Sequence, residues 1–138
     1  MIYYLVNHTK SLLVPKQIYF LAVLLWAGVI AFFCLVQLNN VPLGDVSNLD
    51  KLVHVFFHFV LTMLCFLFFQ KQTNAVNSLK PIIVSFLVSV FFGIGIEIAQ
   101  ELLTATRHAD VFDVLANLSG AILGVAFIIL LDLKTKFR

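Results

Sequence analysis

IIVSFLVSVFFGIGIEIAQELL, residues 82–103, decides the fold of this chain. Up to Ile96 the stretch carries no charged residue; Glu97, Gln100 and Glu101 then crowd its last turns. A helix needs roughly 20 apolar residues to cross a hydrocarbon core of about 30 Å. Backbone groups in lipid must satisfy their own hydrogen bonds, so a run of this length reads as a transmembrane helix. Its polar end reads as something else. Burying a charged group in a bilayer costs on the order of 2–3 kcal/mol, which requires a partner or a water-filled hollow.

Working outward, further apolar runs fall at about 18–38, 52–70 and 111–131. Hydrophobic residues make up 62% of the 138 positions and charged residues 12%, with 15 Phe against 3 Pro. The mean hydropathy of +1.05 excludes a soluble domain. No polar stretch is long enough to fold alone as a soluble catalytic half. The expected fold is all-α: one domain over residues 1–138, a polytopic membrane protein built as an antiparallel four-transmembrane-helix bundle. The first run follows a long N-terminal arm, exceeds a signal-peptide core, and ends at Val36-Gln37-Leu38 without small residues for cleavage, so it is read as retained. The arm, residues 1–16, is expected to lie along the membrane surface.

Charge gives the orientation. Lys10 and Lys16 precede the first run, Lys71 and Lys80 bound the middle loop, and Lys134, Lys136 and Arg138 close the chain. By the positive-inside rule these three regions, and both termini, are expected to be cytoplasmic. Lys51 and Arg107 fall on the other side, together with Asp45, Asp50, Glu97, Glu101, Asp110 and Asp113. The two cysteines, Cys34 and Cys65, are expected at depths more than about 10 Å apart, too far for a disulfide. They read as buried apolar thiols.

Turn signals support the partition. Pro42 and Gly44 mark the first outer loop, with Asn48 as a candidate cap for the second helix. Pro81 suits the first position of the third helix. The short loop at residues 104–108 makes the third and fourth helices antiparallel neighbours. The Phe clusters, Phe56 to Phe59 and Phe66 to Phe69, read as lipid-facing or packing residues.

Helical spacing sorts the polar residues onto faces. Asp50, Lys51, His54 and His58 share an arc of roughly 100° on the second helix, as do Glu97, Gln100 and Glu101 on the third. Asp110, Asp113, Asn117, Gly120 and Gly124 fill a stripe of roughly 80° on the fourth. Ala116, Gly120 and Gly124 form a small-xxx-small series that lets helices approach closely. Gly93 and Gly95 are candidates for the same service on the third. Packing there is expected to set Asp113 and Asn117 against Glu97 or His54. The candidate catalytic residues are Glu97, His54 and Asp113, as acid and base. The candidate ligand-binding residues are Arg107, Lys51, Asp50, Gln100, Asp110 and Asn117, with Arg107 as the anion clamp because its planar fork pairs with carboxylate or phosphate. Gly120 and Gly124 are assigned to helix packing. A metal site drawn from His54, His58, Glu97 and Asp113 lacks HExxH or CxxC spacing, so no metal and no cofactor is expected.

Asp50-Lys51-x-x-His54, Glu97-x-x-Gln100 and Arg107-x-x-Asp110-x-x-Asp113-x-x-x-Asn117-x-x-Gly120-x-x-x-Gly124 together resemble the VanZ-like family of bacterial membrane proteins. The resemblance runs from about Asp50 to Gly124. It implies a small multi-pass protein of the bacterial inner membrane and cell envelope. The family's founding member is associated with low-level resistance to the glycopeptide teicoplanin, so antibiotic resistance and a glycopeptide-type ligand are among its implications. His58 stands where the family carries an aromatic residue, often Tyr.

Three functions fit the polar cluster. The first is an outward-facing pocket that binds or acts on an anionic headgroup, a membrane lipid or a lipid-linked envelope precursor. The second is structural, with the cluster tying helices together in an assembly partner. The third is a proton or cation pathway, disfavoured because the inner half offers only Thr62, Ser85 and Ser89. No nucleic-acid partner is expected, and the oligomeric state is not readable.

Overall fold

A computed structural model describes residues 15–36, 49–73, 78–104 and 109–136, with side chains through Asp132. Each described segment is helical: α1 Lys16–Leu35, α2 Leu49–Thr73, α3 Leu79–Leu103 and α4 Val111–Lys136. All four are long and apolar enough to cross a membrane. No strand occurs among the described residues.

The helices outrun the apolar stretches that define them. α2 extends through Asp50 and Lys51 at one end and Gln70 to Thr73 at the other, because lysine and glutamine continue a helix as readily as leucine. α3 begins at Leu79 after Ser78, so Pro81 sits third in the helix rather than first. Proline is tolerated there because the first four N–H groups have no intrahelical partner. The candidate cap Asn48 and the surface arm at residues 1–14 lie outside the described residues.

Contacts between helices fix an up-down-up-down bundle. α2 and α4 run parallel: Lys51 meets Asp113, Gly120 lies against Val55, and Phe59 packs on Phe127. α3 runs against both, with Glu97 at the level of His54 and Ser89 at the level of His58. α1 runs parallel to α3 and is held to α2 by the Trp26 indole, which donates to the Phe57 carbonyl at 3.0 Å. Packing inside lipid gains little from apolar burial, since tails are as apolar as leucine. Close backbone approach and polar contacts therefore carry the specificity.

The interior accordingly has two halves. An apolar half joins Ile30 and Cys34 of α1 to Phe57, Leu61 and Cys65 of α2 and Ile96 of α3. Both cysteines are buried, and neither is in a disulfide. A polar half lies among α2, α3 and α4 and buries His54, His58, Thr62, Ser85, Ser89, Glu97, Asp113 and Asn117. The outer surface is the reverse, with Leu25, Phe91, Leu102 and Phe112 largely exposed. Of the Phe clusters, Phe56 faces outward while Phe57 and Phe66 are buried.

Candidate polar site at the α2 and α4 N-termini

The site begins with a helix cap. Asp110 precedes α4, and its Oδ1 accepts the Phe112 N–H at 2.8 Å. Its carbonyl accepts the Asp113 N–H at 3.0 Å. Aspartate is favoured at this position because it satisfies an orphan amide and complements the helix dipole. The N–H of Phe112, and then the Lys51 ammonium, hold the Asp110 carboxyl below its ordinary value. Lys51 reaches across from α2 to Asp113 Oδ1 at 2.8 Å and Asp110 Oδ2 at 3.0 Å. This one lysine locks the two parallel helices at their starts.

Deeper, three helices meet through an amide. Asn117 donates from Nδ2 toward Glu97 Oε1 at 3.5 Å, and its Oδ1 lies 2.9 Å from His54 Nδ1. With Nδ2 turned to Glu97, the amide presents its oxygen to His54. The Asn117 oxygen can only accept, so His54 Nδ1 carries the proton. His54 Nε2 faces Asp113 Oδ2 at 3.9 Å, and Glu97 Oε1 lies 3.9 Å from Nδ1. Glu97 Oε2 also accepts the Asp110 N–H at 3.4 Å. Gly93 makes the room: a Cβ there would stand 2.9 Å from His58 Cε1 and 3.1 Å from Asn117 Nδ2.

One turn further in, His58 is fully buried and its Nδ1 pairs with Ser89 Oγ at 3.0 Å. Its Nε2 is buried without a hydrogen-bond partner. Below it the polar groups turn back on their own helices. Thr62 Oγ1 donates to the His58 carbonyl, and Ser85 Oγ to the carbonyls of Pro81 and Ile82.

The structure thus brings Lys51, His54, Glu97, Asp110, Asp113 and Asn117 into one network. Asp50 is exposed beside it on the first turn of α2, and the donor atoms of Asp50, His54 and Asp113 lie within 4.8 Å of one another. Gln100 is buried but turned to α1, donating to the Cys34 carbonyl at 2.9 Å. Glu101 leaves the cluster for the surface and accepts the Ala109 N–H at 2.9 Å. Arg107 and His108 lie outside the described residues. Gly120 and Gly124 face α2, where a Cβ on Gly120 would run into the Val55 carbonyl and one on Gly124 would meet Thr62 at 3.0 Å. Gly95 has open space around it, so the packing expected of it is absent. The Trp26–Phe57 and His58–Ser89 bonds have no counterpart in the sequence reading. The spacing of Ser85, Ser89, Gly93 and Glu97 every four residues is the signal that marks the second of these.

A groove of about 440 Å³ runs down the outside of the α2–α4 seam, lined by Leu52, Val55, Phe56 and Phe59 with Leu123 and Phe127. It is apolar. Leu52, at its upper end, follows Lys51 directly.

Comparison with known proteins gives a relative and a family. The chain is similar over 107 residues to the uncharacterized protein C11E3.10 of Schizosaccharomyces pombe, at 32% identity, covering 74% of this chain and 63% of that protein. The chain therefore spans somewhat less than two thirds of that relative's length, and the similarity reaches a eukaryote. No solved structure matches. The model of the VanZ/LLP1 family matches residues 4–132, taking in α1 and part of the N-terminal arm as well as the polar motifs; this multi-pass membrane protein belongs to the VanZ/LLP1 family.

Proposed function

We propose that the polar end of the bundle receives the headgroup of a membrane amphiphile whose acyl chain lies in the α2–α4 groove. The observation that carries this reading is the convergence of Lys51, His54, Glu97, Asp113 and Asn117, from three helices, at one level beside that groove. Polar contacts between membrane helices are worth about 0.6 kcal/mol on average, too little to explain so many buried ionisable groups as adhesive. An anionic headgroup, an envelope precursor or a glycopeptide-type ligand suits the resemblance to VanZ. In a bacterium the protein would sit in the inner membrane with this end facing outward and both termini cytoplasmic. Glu97 and His54, coupled through Asn117, would handle protons, and Arg107 would clamp the anion.

Native mass spectrometry of gently extracted protein tests the reading. A co-purifying lipid or precursor is expected on the wild type, and its loss on Arg107→Ala and Glu97→Gln. A bare wild-type spectrum, or equal retention by both variants, refutes it. The tie-only reading rests on the internal pairing of Lys51 and Gln100. It requires apolar replacements that preserve function and raise stability. A transmembrane pathway is poorly served by Thr62 and Ser85, whose hydroxyls bond their own helices.

A further inference from the structure

We infer that Asp50, His54 and Asp113 form a binding site for a first-row divalent cation. Their donor atoms lie within 4.8 Å of one another, contributed by two helices that Lys51 holds in register. The decisive point is the placement of His54. Its ring is buried, Asn117 takes the Nδ1 proton, and Nε2 is left facing the Asp113 Oδ2 atom at 3.9 Å. With Nδ1 engaged by Asn117, Nε2 is the ring atom left for a cation, and a carboxylate oxygen stands opposite it. Asp113 is already divided for that purpose: Oδ1 engages Lys51 at 2.8 Å, and Oδ2 is the atom turned to the histidine.

The second coordination layer has the form metal-binding histidines ordinarily take. The ring N–H opposite the ligating nitrogen donates to an amide oxygen, which fixes tautomer and orientation. Asn117 supplies that oxygen, and Glu97 in turn orients Asn117. Ligands about 2.0–2.2 Å from a cation stand roughly 3–3.5 Å apart, so the His54–Asp113 pair need close by less than about 1 Å. Asp50 is exposed and its side chain is free to swing in. Charge favours occupation too, since Asp50, Asp110 and Asp113 outnumber Lys51 among the described residues. One imidazole with two carboxylates suits zinc or manganese better than a purely oxygen-seeking ion. Three protein ligands leave coordination positions open. On the headgroup reading above, and only on it, a phosphate oxygen would take one of them.

Electron paramagnetic resonance of the full chain in detergent, titrated with Mn²⁺ alone, tests the site. The expected result is one bound Mn²⁺ per chain, with echo modulation from an imidazole nitrogen. Asp50→Asn, at an exposed position, is expected to weaken binding at least about tenfold, while Asp132→Asn at the far end of α4 leaves it unchanged. Wild-type protein that binds no Mn²⁺ at millimolar concentration overturns the inference. So does binding without nitrogen modulation, or binding that Asp50→Asn leaves intact; each would leave His54 and Asp113 as a direct pair with no metal between them. No lipid is added in this experiment and Mn²⁺ is the only ligand titrated, so its failure leaves the headgroup reading standing, and lipid loss in the mass spectrum leaves the cation site standing.

Discussion

Asn117 answers two opposite demands, giving a proton to Glu97 on one side and taking one from His54 on the other. Leucine at this position keeps the volume and answers neither. Asn117→Leu is therefore expected to lower stability by about 1–3 kcal/mol, the cost of leaving buried polar groups unsatisfied. Asp is expected to be worse, because it sets a second carboxylate against Glu97. Thermal unfolding in detergent micelles checks the order wild type, Leu, Asp; a Leu variant as stable as the wild type would mean that water replaces the amide. The sequence showed that Asn117, Glu97 and His54 each sit on a polar stripe, since faces follow from spacing along one helix. It did not show which atom meets which. Gln100 shares its stripe with Glu97 yet bonds a carbonyl of α1, because the rotation of one helix against another depends on packing that no single helix encodes.

Between elements, α2 and α4 are the closest pair, and glycine is the reason. A methyl group on Gly120 would strike the Val55 carbonyl, which belongs to the backbone and cannot turn aside. Gly120→Ala is expected to cost about 1–3 kcal/mol by overpacking, or to splay the two helices. Gly95→Ala has open space and is expected to gain up to about 1 kcal/mol from helix propensity. The contrast separates packing from composition, which spacing alone did not: both glycines looked suited to close approach. The cap of α4 adds a pH dependence of known sign. Asp110 is held below its ordinary value, near 4, by the Phe112 N–H and Lys51. Its charge therefore stabilises the fold above that ordinary value, and the contribution is lost as pH falls through the lower folded value. Asp110→Asn keeps a capping oxygen and removes the charge. The stability gap between wild type and variant is expected to be constant above about pH 5 and to close below about pH 4. A gap that persisted or widened in acid would assign the effect to hydrogen bonding alone.

For the molecule as a whole, the apolar runs made four spans legible, and four helices long and apolar enough to cross a membrane agree with them. Helix ends were less legible, because Asp50, Lys51 and Gln70 are polar yet helical. Orientation is a separate matter, since a bundle has the same internal contacts either way up. It must come from charge asymmetry against the membrane. Lys16, Lys71, Lys80, Lys134 and Lys136 gather at one end of the spans, whereas the end that carries the polar site has Lys51 locked between two carboxylates. Acids count for little in this rule, so the bias toward a cytoplasmic C-terminus rests on these five lysines outnumbering Lys51 and Arg107. A reporter fused after Arg138 is expected to behave as cytoplasmic: a fluorescent protein that matures there should be bright, and alkaline phosphatase at the same position inactive. Lys134 and Lys136 changed to Gln should weaken that preference, with part of the population inverting. The opposite reporter pattern in the unaltered chain would turn the polar site to the cytoplasm and exclude an external envelope precursor as its ligand. It would leave the geometry of the cluster, and any cation held there, unaffected.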